Sequence, residues 1–227
     1  MKKYLIIAAT ALLAASACTK GYEAVDDGVG GRTNANNRDA RSYMMSVADN
    51  LVTDALDELE MGLLVQDNGR GTSGHFDISG GSLLANGVAW TVIADDSLLK
   101  GLTLKCTGAS TWTLTYTGDY SLLGERYPVD FTLVAAQGTL IKGHHYNWNV
   151  TLAGDRTERE GYRCKFSTDG LVKYQVAMEQ DVPANYPGWN KVDGSFLMEI
   201  YKETKLVDVW QLDFAGYPSD AQFTRSL

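Results

Sequence analysis

Hydrophobic and polar residues follow two different periods along this chain, and the change comes near Gly74. Between residues 38 and 63 apolar side chains recur every three or four positions, which predicts an amphipathic helix. Asn37 directly precedes this segment and is expected to be its N-cap. We therefore expect one helix that packs an apolar stripe against the rest of the domain, made of Met44, Val47, Leu51, Ala55, Leu59 and Gly62 or Leu63.

After Gly74 apolar positions alternate with polar ones, as in β-strands. In residues 111–117 four threonines alternate with Trp112, Leu114 and Tyr116, and only a strand places all four threonines on one side. Similar alternation predicts strands at 88–93, 101–106, 128–135, 144–152, 162–167, 171–178, 195–202 and 206–214. Turn signals separate the strands at Gly108-Ala109, Gly118-Asp119, Asp155-Arg156, Asp169-Gly170 and Asp193-Gly194. Four tryptophans lie inside these runs and are expected in the core: Trp90, Trp112, Trp148 and Trp210.

About nine or ten strands in sequence, without intervening helices, predict a mainly β fold. The short links at Asp169-Gly170 and Glu203-Thr204 favour neighbouring antiparallel strands. We expect an antiparallel meander, as a sandwich or a barrel, with one N-terminal amphipathic helix. Residues 38–227 would form this single domain, with the helix at 38–63.

The first 17 residues have the features of a secretory signal peptide. Lys2 and Lys3 precede an apolar run that is shorter than the roughly 20 residues needed to span a bilayer. The run ends in Ala15-Ser16-Ala17-Cys18, which resembles the lipobox of bacterial lipoproteins. That resemblance implies cleavage before Cys18 and a membrane anchor of acyl chains on its thiol and new amine.

Residues 18–37 would then form a lipidated N-terminus and a flexible tether, because glycine, asparagine and charge dominate them. Thr19 is not the aspartate of an inner-membrane retention signal, so we expect anchoring in the outer membrane of a cell envelope. Whether the domain faces the periplasm or the cell surface stays open.

The chain is acidic, with 28 Asp and Glu against 20 Lys and Arg and a net charge of −8. Loss of Lys2 and Lys3 with the signal peptide would change this charge from −8 to −10. Such a surface repels phosphate backbones, so we expect no nucleic-acid partner.

Two motifs that resemble binding sites are excluded by their context, so we expect neither cofactor nor metal. Gly69–Gly74 matches Gly-x-Gly-x-x-Gly, but it follows a predicted helix and precedes a strand, the reverse of a dinucleotide site. His144 and His145 are adjacent on a strand and point to opposite faces, so they cannot chelate one ion. Gly-x-Ser-x-Gly and His-Glu-x-x-His are also missing from the sequence, which favours a non-enzymatic protein.

Two cysteines follow Cys18, and both face the predicted core. Cys106 aligns with Leu104 and Cys164 with Phe166 in the alternating pattern. A disulfide between Cys106 and Cys164 and a pair of buried free thiols both fit this placement.

Aromatic residues give the best indication of function. The segment 181–191 carries Tyr186 and Trp189 between two predicted strands, where no alternation buries them, and such side chains can stack on sugar rings. The layout resembles that of uncharacterised Bacteroidetes envelope lipoproteins, and Asp96-Ser97-Leu98 resembles their O-glycosylation sites. We expect a binding protein for a glycan or another small ligand. A structural or assembly subunit of an outer-membrane complex and a lipocalin-like carrier are the alternatives.

Overall fold

A computed structural model describes residues 34–68, 74–122, 124–142, 145–157, 161–176, 189–215 and 222–226. These described residues form one long helix followed by eleven strands. Within the described residues, no helix combines the length and the apolar character that a membrane span needs.

The helical part consists of α1 (Asn34–Ser46), a π-helical turn (Val47–Leu51) and α2 (Val52–Asn68). Ser46 and Val52, on either side of the π turn, both have right-handed helical backbone angles, so the three pieces form one continuous central helix. This helix begins before the predicted start at residue 38 and continues beyond residue 63. Asn37 lies inside α1, so the prediction that it is the N-cap is wrong.

The strands form a single antiparallel sheet, which confirms the predicted mainly β meander. They are β1 (Phe76–Asp77), β2 (Ala89–Val92), β3 (Thr103–Gly108), β4 (Thr111–Leu122), β5 (Glu125–Lys142), β6 (His145–Thr157), β7 (Tyr162–Thr168), β8 (Val172–Val176), β9 (Trp189–Lys202), β10 (Lys205–Ala215) and β11 (Gln222–Arg225). Each strand pairs with the next along the chain, except that β7 and β8 do not pair with each other. Both of them lie between β6 and β9 and pair with each of these strands.

β7 and β8 are two halves of one strand. Strand β6 pairs first with β7, as in Ala153 with Ser167, and then with β8, as in Val150 with Val172. The link at Asp169-Gly170 is therefore a bulge, and the hairpin predicted there is wrong. The hairpin predicted at Glu203-Thr204 is confirmed, because Lys202 pairs with Lys205.

Three predicted turns lie inside long strands instead. Gly118-Asp119 belongs to β4, Asp155-Arg156 to β6 and Asp193-Gly194 to β9. At each place the neighbouring strands supply cross-strand partners, such as Val129 for Gly118, and this pairing overrides the local preference for a turn. The chain reverses between β4 and β5 at Gly124, where φ is +81°.

The central helix lies inside the curl of the sheet. The predicted stripe is buried, but burial extends far beyond it, and between residues 47 and 63 only Asn50, Asp57 and Met61 are exposed. A Cβ at Gly62 would lie 3.0 Å from Leu83 of the β1–β2 connection and 3.4 Å from Leu104 of β3, so glycine allows the helix to pack closely here. The sheet therefore wraps around the helix, and the described strands do not form two sheets packed face to face.

Side chains of several strands hold the helix. Tyr174 on β8 donates a hydrogen bond of 2.8 Å to the backbone carbonyl of Ala48 in the π turn. The Tyr43 ring packs edge-on against Phe166 of β7. Strand β4, three positions away in the sheet, also contacts the helix, because the Tyr120 hydroxyl donates a hydrogen bond of 2.6 Å to α2. Strands that are distant in the sheet thus hold the same helix.

The predicted core tryptophans Trp90, Trp112, Trp148 and Trp210 are all buried. Cys106 on β3 and Cys164 on β7 are also buried, and both are free thiols, so the disulfide alternative is wrong. Three strands lie between them, which separates them by about 19 Å along the sheet, far beyond the reach of a disulfide. Burial raises the pKa of Cys164 to about 12, so its thiol is held in the unreactive protonated form.

Glu60 is the carboxylate buried most deeply in the helix, with a side chain 2% exposed. Its Oε1 accepts hydrogen bonds from the Tyr146 backbone N–H and the Trp148 indole, both at 2.9 Å. Its Oε2 lies 2.7 Å from Nδ1 of His145. One helix carboxylate thus satisfies three donors of β6 and fixes the position of the helix along that strand.

We predict that Glu60→Gln lowers the free energy of unfolding by about 2–3 kcal/mol, because the amide nitrogen cannot accept a hydrogen bond from these donors. Urea denaturation followed by tryptophan fluorescence measures this. Asp67→Asn, on the exposed last turn of α2, is the control and should change stability by about 0.5 kcal/mol or less. Equal effects of the two variants would contradict the role given to Glu60.

Candidate functional site

The structure does not bring the predicted aromatic pair together within its described residues. Tyr186 lies outside them, as do Cys18 and the lipobox Ala15–Ala17. Trp189 is the first residue of β9 and pairs with Val176, so its prediction as a loop residue is wrong. Pairing with β8 extends β9 backwards into a segment whose proline and glycine content indicated a loop.

Two clefts open on either side of the loop between β2 and β3. The larger, here called the wide cleft, measures about 530 Å³ and is lined among others by Thr91, Ile93, Lys100, Tyr116, Asp119 and Arg126. The smaller, here called the acidic cleft, measures about 260 Å³ and is lined among others by Asp54, Asp57, Glu58, Met61, His75 and Asp96. Ser97 and Leu98 line both clefts and form the ridge between them.

Glu58 fastens this ridge to the central helix. Its Oε1 accepts a hydrogen bond of 2.6 Å from the Ser97 hydroxyl, and its Oε2 lies 2.6 Å from Nε2 of His75. The Ser97 hydroxyl oxygen also accepts the Leu99 backbone N–H at 3.1 Å. Glu58 is 9% exposed, so these bonds form in a largely water-free environment and hold the loop firmly. Ser97, within the predicted glycosylation motif, serves here as a structural hydroxyl.

The order of groups in this cluster does not suit nucleophilic catalysis. A catalytic serine needs a base against its hydroxyl, whereas here the carboxylate lies between the serine and the histidine. Ser97-Leu98-Leu99-Lys100 also has the Ser-x-x-Lys spacing of some acyl-transfer enzymes. In the structure Lys100 contacts Asp95 and Ser97 contacts Glu58, so the two side chains serve different partners.

Metal coordination is not indicated by the described part of the chain. It contains no group of three His, Cys, Asp or Glu side chains placed to hold an ion. The arrangement around the ridge is instead suited to hydrogen bonding with a polar ligand.

Asp54 lies one helical turn before Glu58 and lines the same cleft. Its Oδ2 accepts a hydrogen bond of 2.6 Å from the Tyr120 hydroxyl. Burial raises the pKa of Asp54, and the negative charge of Glu58 adds to this effect, while the Tyr120 bond opposes it. The ionised form of Asp54 therefore lowers the free energy of unfolding at neutral pH.

The wide cleft has both charges and an aromatic floor. Tyr116 is mostly buried, and its hydroxyl donates to the Asp119 carbonyl at 3.1 Å. Burial raises the pKa of Tyr116, with opposite electrostatic contributions from Asp119 and Arg126. On the facing side Lys100 forms an ion pair with Asp95.

Three of the seven exposed large apolar side chains in the described residues line the two clefts. Met61 and Ile93 are each 42% exposed and Leu98 is 57% exposed. Met61 lines the acidic cleft, Ile93 lines the wide cleft and Leu98 lines both. The clefts thus combine polar groups with apolar side chains, as ligand sites do.

The sequence did not predict this site, because the acidic residues of the helix lie mostly off the apolar stripe and the pattern gives them no partner. The repeated Asp54, Asp57 and Glu58 at one-turn spacing, followed by His75, was the available signal. Only the position of the β2–β3 loop shows that these side chains line one cleft together with Ser97.

No protein-family model matches this chain. No curated protein and no solved structure matches it either.

We predict that Asp54→Asn increases stability at pH 7 by up to about 1 kcal/mol, since it removes a partly buried charge while keeping an acceptor for Tyr120. A carboxyl with a raised folded-state pKa loses stability as pH rises, so the gain should vanish near pH 3, where Asp54 is protonated in both states. Thermal melts across this pH range measure it.

Asp77 supplies the matched control for that experiment. It is exposed, and a hydrogen bond from the Ser79 backbone N–H lowers its pKa. Asp77→Asn should therefore have the opposite sign, with a small loss of stability at pH 7. A loss of stability in Asp54→Asn at pH 7 would contradict the assignment.

Proposed function

We propose that this protein is a lipid-anchored envelope lipoprotein whose β domain binds a glycan in the clefts beside the β2–β3 loop. The observation that carries the proposal is the pair of adjoining clefts, with fixed polar groups on their walls and exposed Leu98 between them. The proposed site differs from the one expected at Tyr186 and Trp189, while the proposed class of ligand is the same.

A sugar ring matches the chemistry of this surface. Its hydroxyls donate to carboxylates and accept from guanidinium and ammonium groups, and its C–H face packs on apolar side chains. Asp96 and Asp119 can accept, Arg126 can donate, and Leu98 offers the apolar contact. Because Glu58 holds Ser97 in place, little ordering of the loop is needed when a ligand binds.

The envelope location rests on the lipobox resemblance at Ala15-Ser16-Ala17-Cys18. Fifteen residues lie between Cys18 and Asn34, where the described helix begins. A flexible chain of that length has a reach of roughly 20 Å, which would hold the clefts clear of lipid headgroups.

Leu98→Ala should weaken retention on a polysaccharide at least about tenfold, because it removes the apolar contact between the clefts. Affinity electrophoresis against a panel of neutral, amine-bearing and acidic polysaccharides measures this. Leu171→Ala is the matched control, since Leu171 is 64% exposed and lies at the bulge between β7 and β8. Neither variant should alter the melting temperature by more than 1–2 °C.

The proposal fails if no polysaccharide retards the wild-type protein, or if both leucine variants behave alike. The alternative, a structural or assembly subunit, would use an exposed apolar contact away from the clefts, and Leu171 is the most exposed large apolar side chain of the described residues. In that case Leu171→Ala, and not Leu98→Ala, would release a stoichiometric partner that co-purifies from membranes.

Lipid anchoring is tested on the protein expressed with its full N-terminus. Wild type and Cys106→Ser should enter the detergent phase of Triton X-114, and Cys18→Ser should stay in the aqueous phase, because only Cys18 is acylated. Mass spectrometry of the N-terminal peptide should show acyl chains on Cys18. An unmodified peptide beginning at another residue would contradict the anchor.

A further inference from the structure

We infer that the ligand crosses the Ser97-Leu98 ridge and fills both clefts, so it is an oligosaccharide of at least two linked units that are neutral or amine-bearing. This inference rests on the proposed glycan-binding function and adds to it the length and charge of the ligand.

The two clefts are adjoining halves of one surface. Ser97 and Leu98 line both of them, and the volumes on the two sides are about 530 and 260 Å³. Leu98 is 57% exposed, whereas the next residue, Leu99, is 1% exposed and anchors the loop in the core. A ligand that lies over Leu98 therefore has a polar cleft on each side.

The ridge is fixed, so the two clefts stay separate. Ser97 is bonded to Glu58 at 2.6 Å and to the Leu99 N–H at 3.1 Å. A single sugar ring can occupy one side or the other. A linked pair can occupy both at once, and its second unit binds at the high effective concentration that the linkage provides.

Exposed apolar side chains extend over both sides of the ridge. Met61 belongs to the acidic cleft, Ile93 to the wide cleft and Leu98 to both. Successive rings of an oligosaccharide offer successive C–H faces to such a row. A monosaccharide would leave one end of it uncovered.

The charge of the lining selects against acidic sugars. The two clefts together contain six carboxylates, Asp54, Asp57, Glu58, Asp95, Asp96 and Asp119, against the cations Lys100 and Arg126 and the imidazole of His75. Like charges at contact distance repel even in a high-dielectric surface environment, so chains of uronic acids are disfavoured.

The experiment uses fragments of one to six units, made by partial acid hydrolysis of the polysaccharide that retains the protein. Hydrolysates of chitosan and polygalacturonate serve as amine-bearing and acidic references, and calorimetry measures the affinities. Between one unit and two or three units the wild-type affinity should rise about tenfold or more and then level off. Galacturonate fragments of the same length should bind at least about tenfold more weakly.

Met61→Ala and Ile93→Ala are a matched pair, because the two side chains are equally exposed and line different clefts. Each should lower the affinity for the two- and three-unit fragments about threefold or more, while only one of them affects the monosaccharide. Ile78→Ala, 39% exposed and outside both clefts, should have no effect.

The inference is overturned, with the proposed function intact, if a monosaccharide binds as tightly as its oligomers or if galacturonate fragments bind best. It is also overturned if one of the two cleft variants has no effect at any length. If no polysaccharide retains the protein, the proposed function and this inference fall together.

Discussion

The rest of the structure depends on burial of the central helix inside the sheet. A helix that is packed inside a sheet needs partners for the polar side chains it carries inward, and several of these partners are hydrogen-bonding groups of the sheet. Glu60 accepts from Trp148 and the Tyr146 backbone, and Asp54 accepts from Tyr120. These bonds fix how far the helix is inserted and which of its sides faces the β2–β3 loop, so the position of the clefts follows from the packing of the core.

Other buried charges also have partners, farther along the sheet. The Arg156 guanidinium lies between the rings of Tyr43 and Tyr127, at 4.2 and 4.1 Å from their centroids. Asp208 accepts from the Trp210 indole at 2.6 Å and from Arg225 at 2.9 Å, which ties β11 to β10. Each group costs desolvation energy, and removing its partner would leave an uncompensated charge in the core. Together they favour one arrangement of helix and strands.

Secondary structure could be predicted from the sequence where an element buries one side, because burial on one side produces a periodic pattern. Alternation in residues 111–117 predicted a strand with outward threonines, and the apolar positions of the helix are buried as expected. Prediction failed where distant neighbours decide the outcome. Turn dipeptides such as Gly118-Asp119 stay extended because β5 pairs with them, and Asp169-Gly170 interrupts one strand because β6 and β9 continue past it. The site could not be predicted because the contact between Glu58 and Ser97 spans 39 residues of sequence.

Hydrogen exchange of the backbone amides tests most directly whether the helix is the core of this sheet. We expect the amides of residues 52–63 to exchange as slowly as those of the central strands β4 to β6, because the helix cannot leave unless the sheet opens. Helix amides that exchange much faster than these strands would show a helix that detaches while the sheet stays folded, and this would contradict the account.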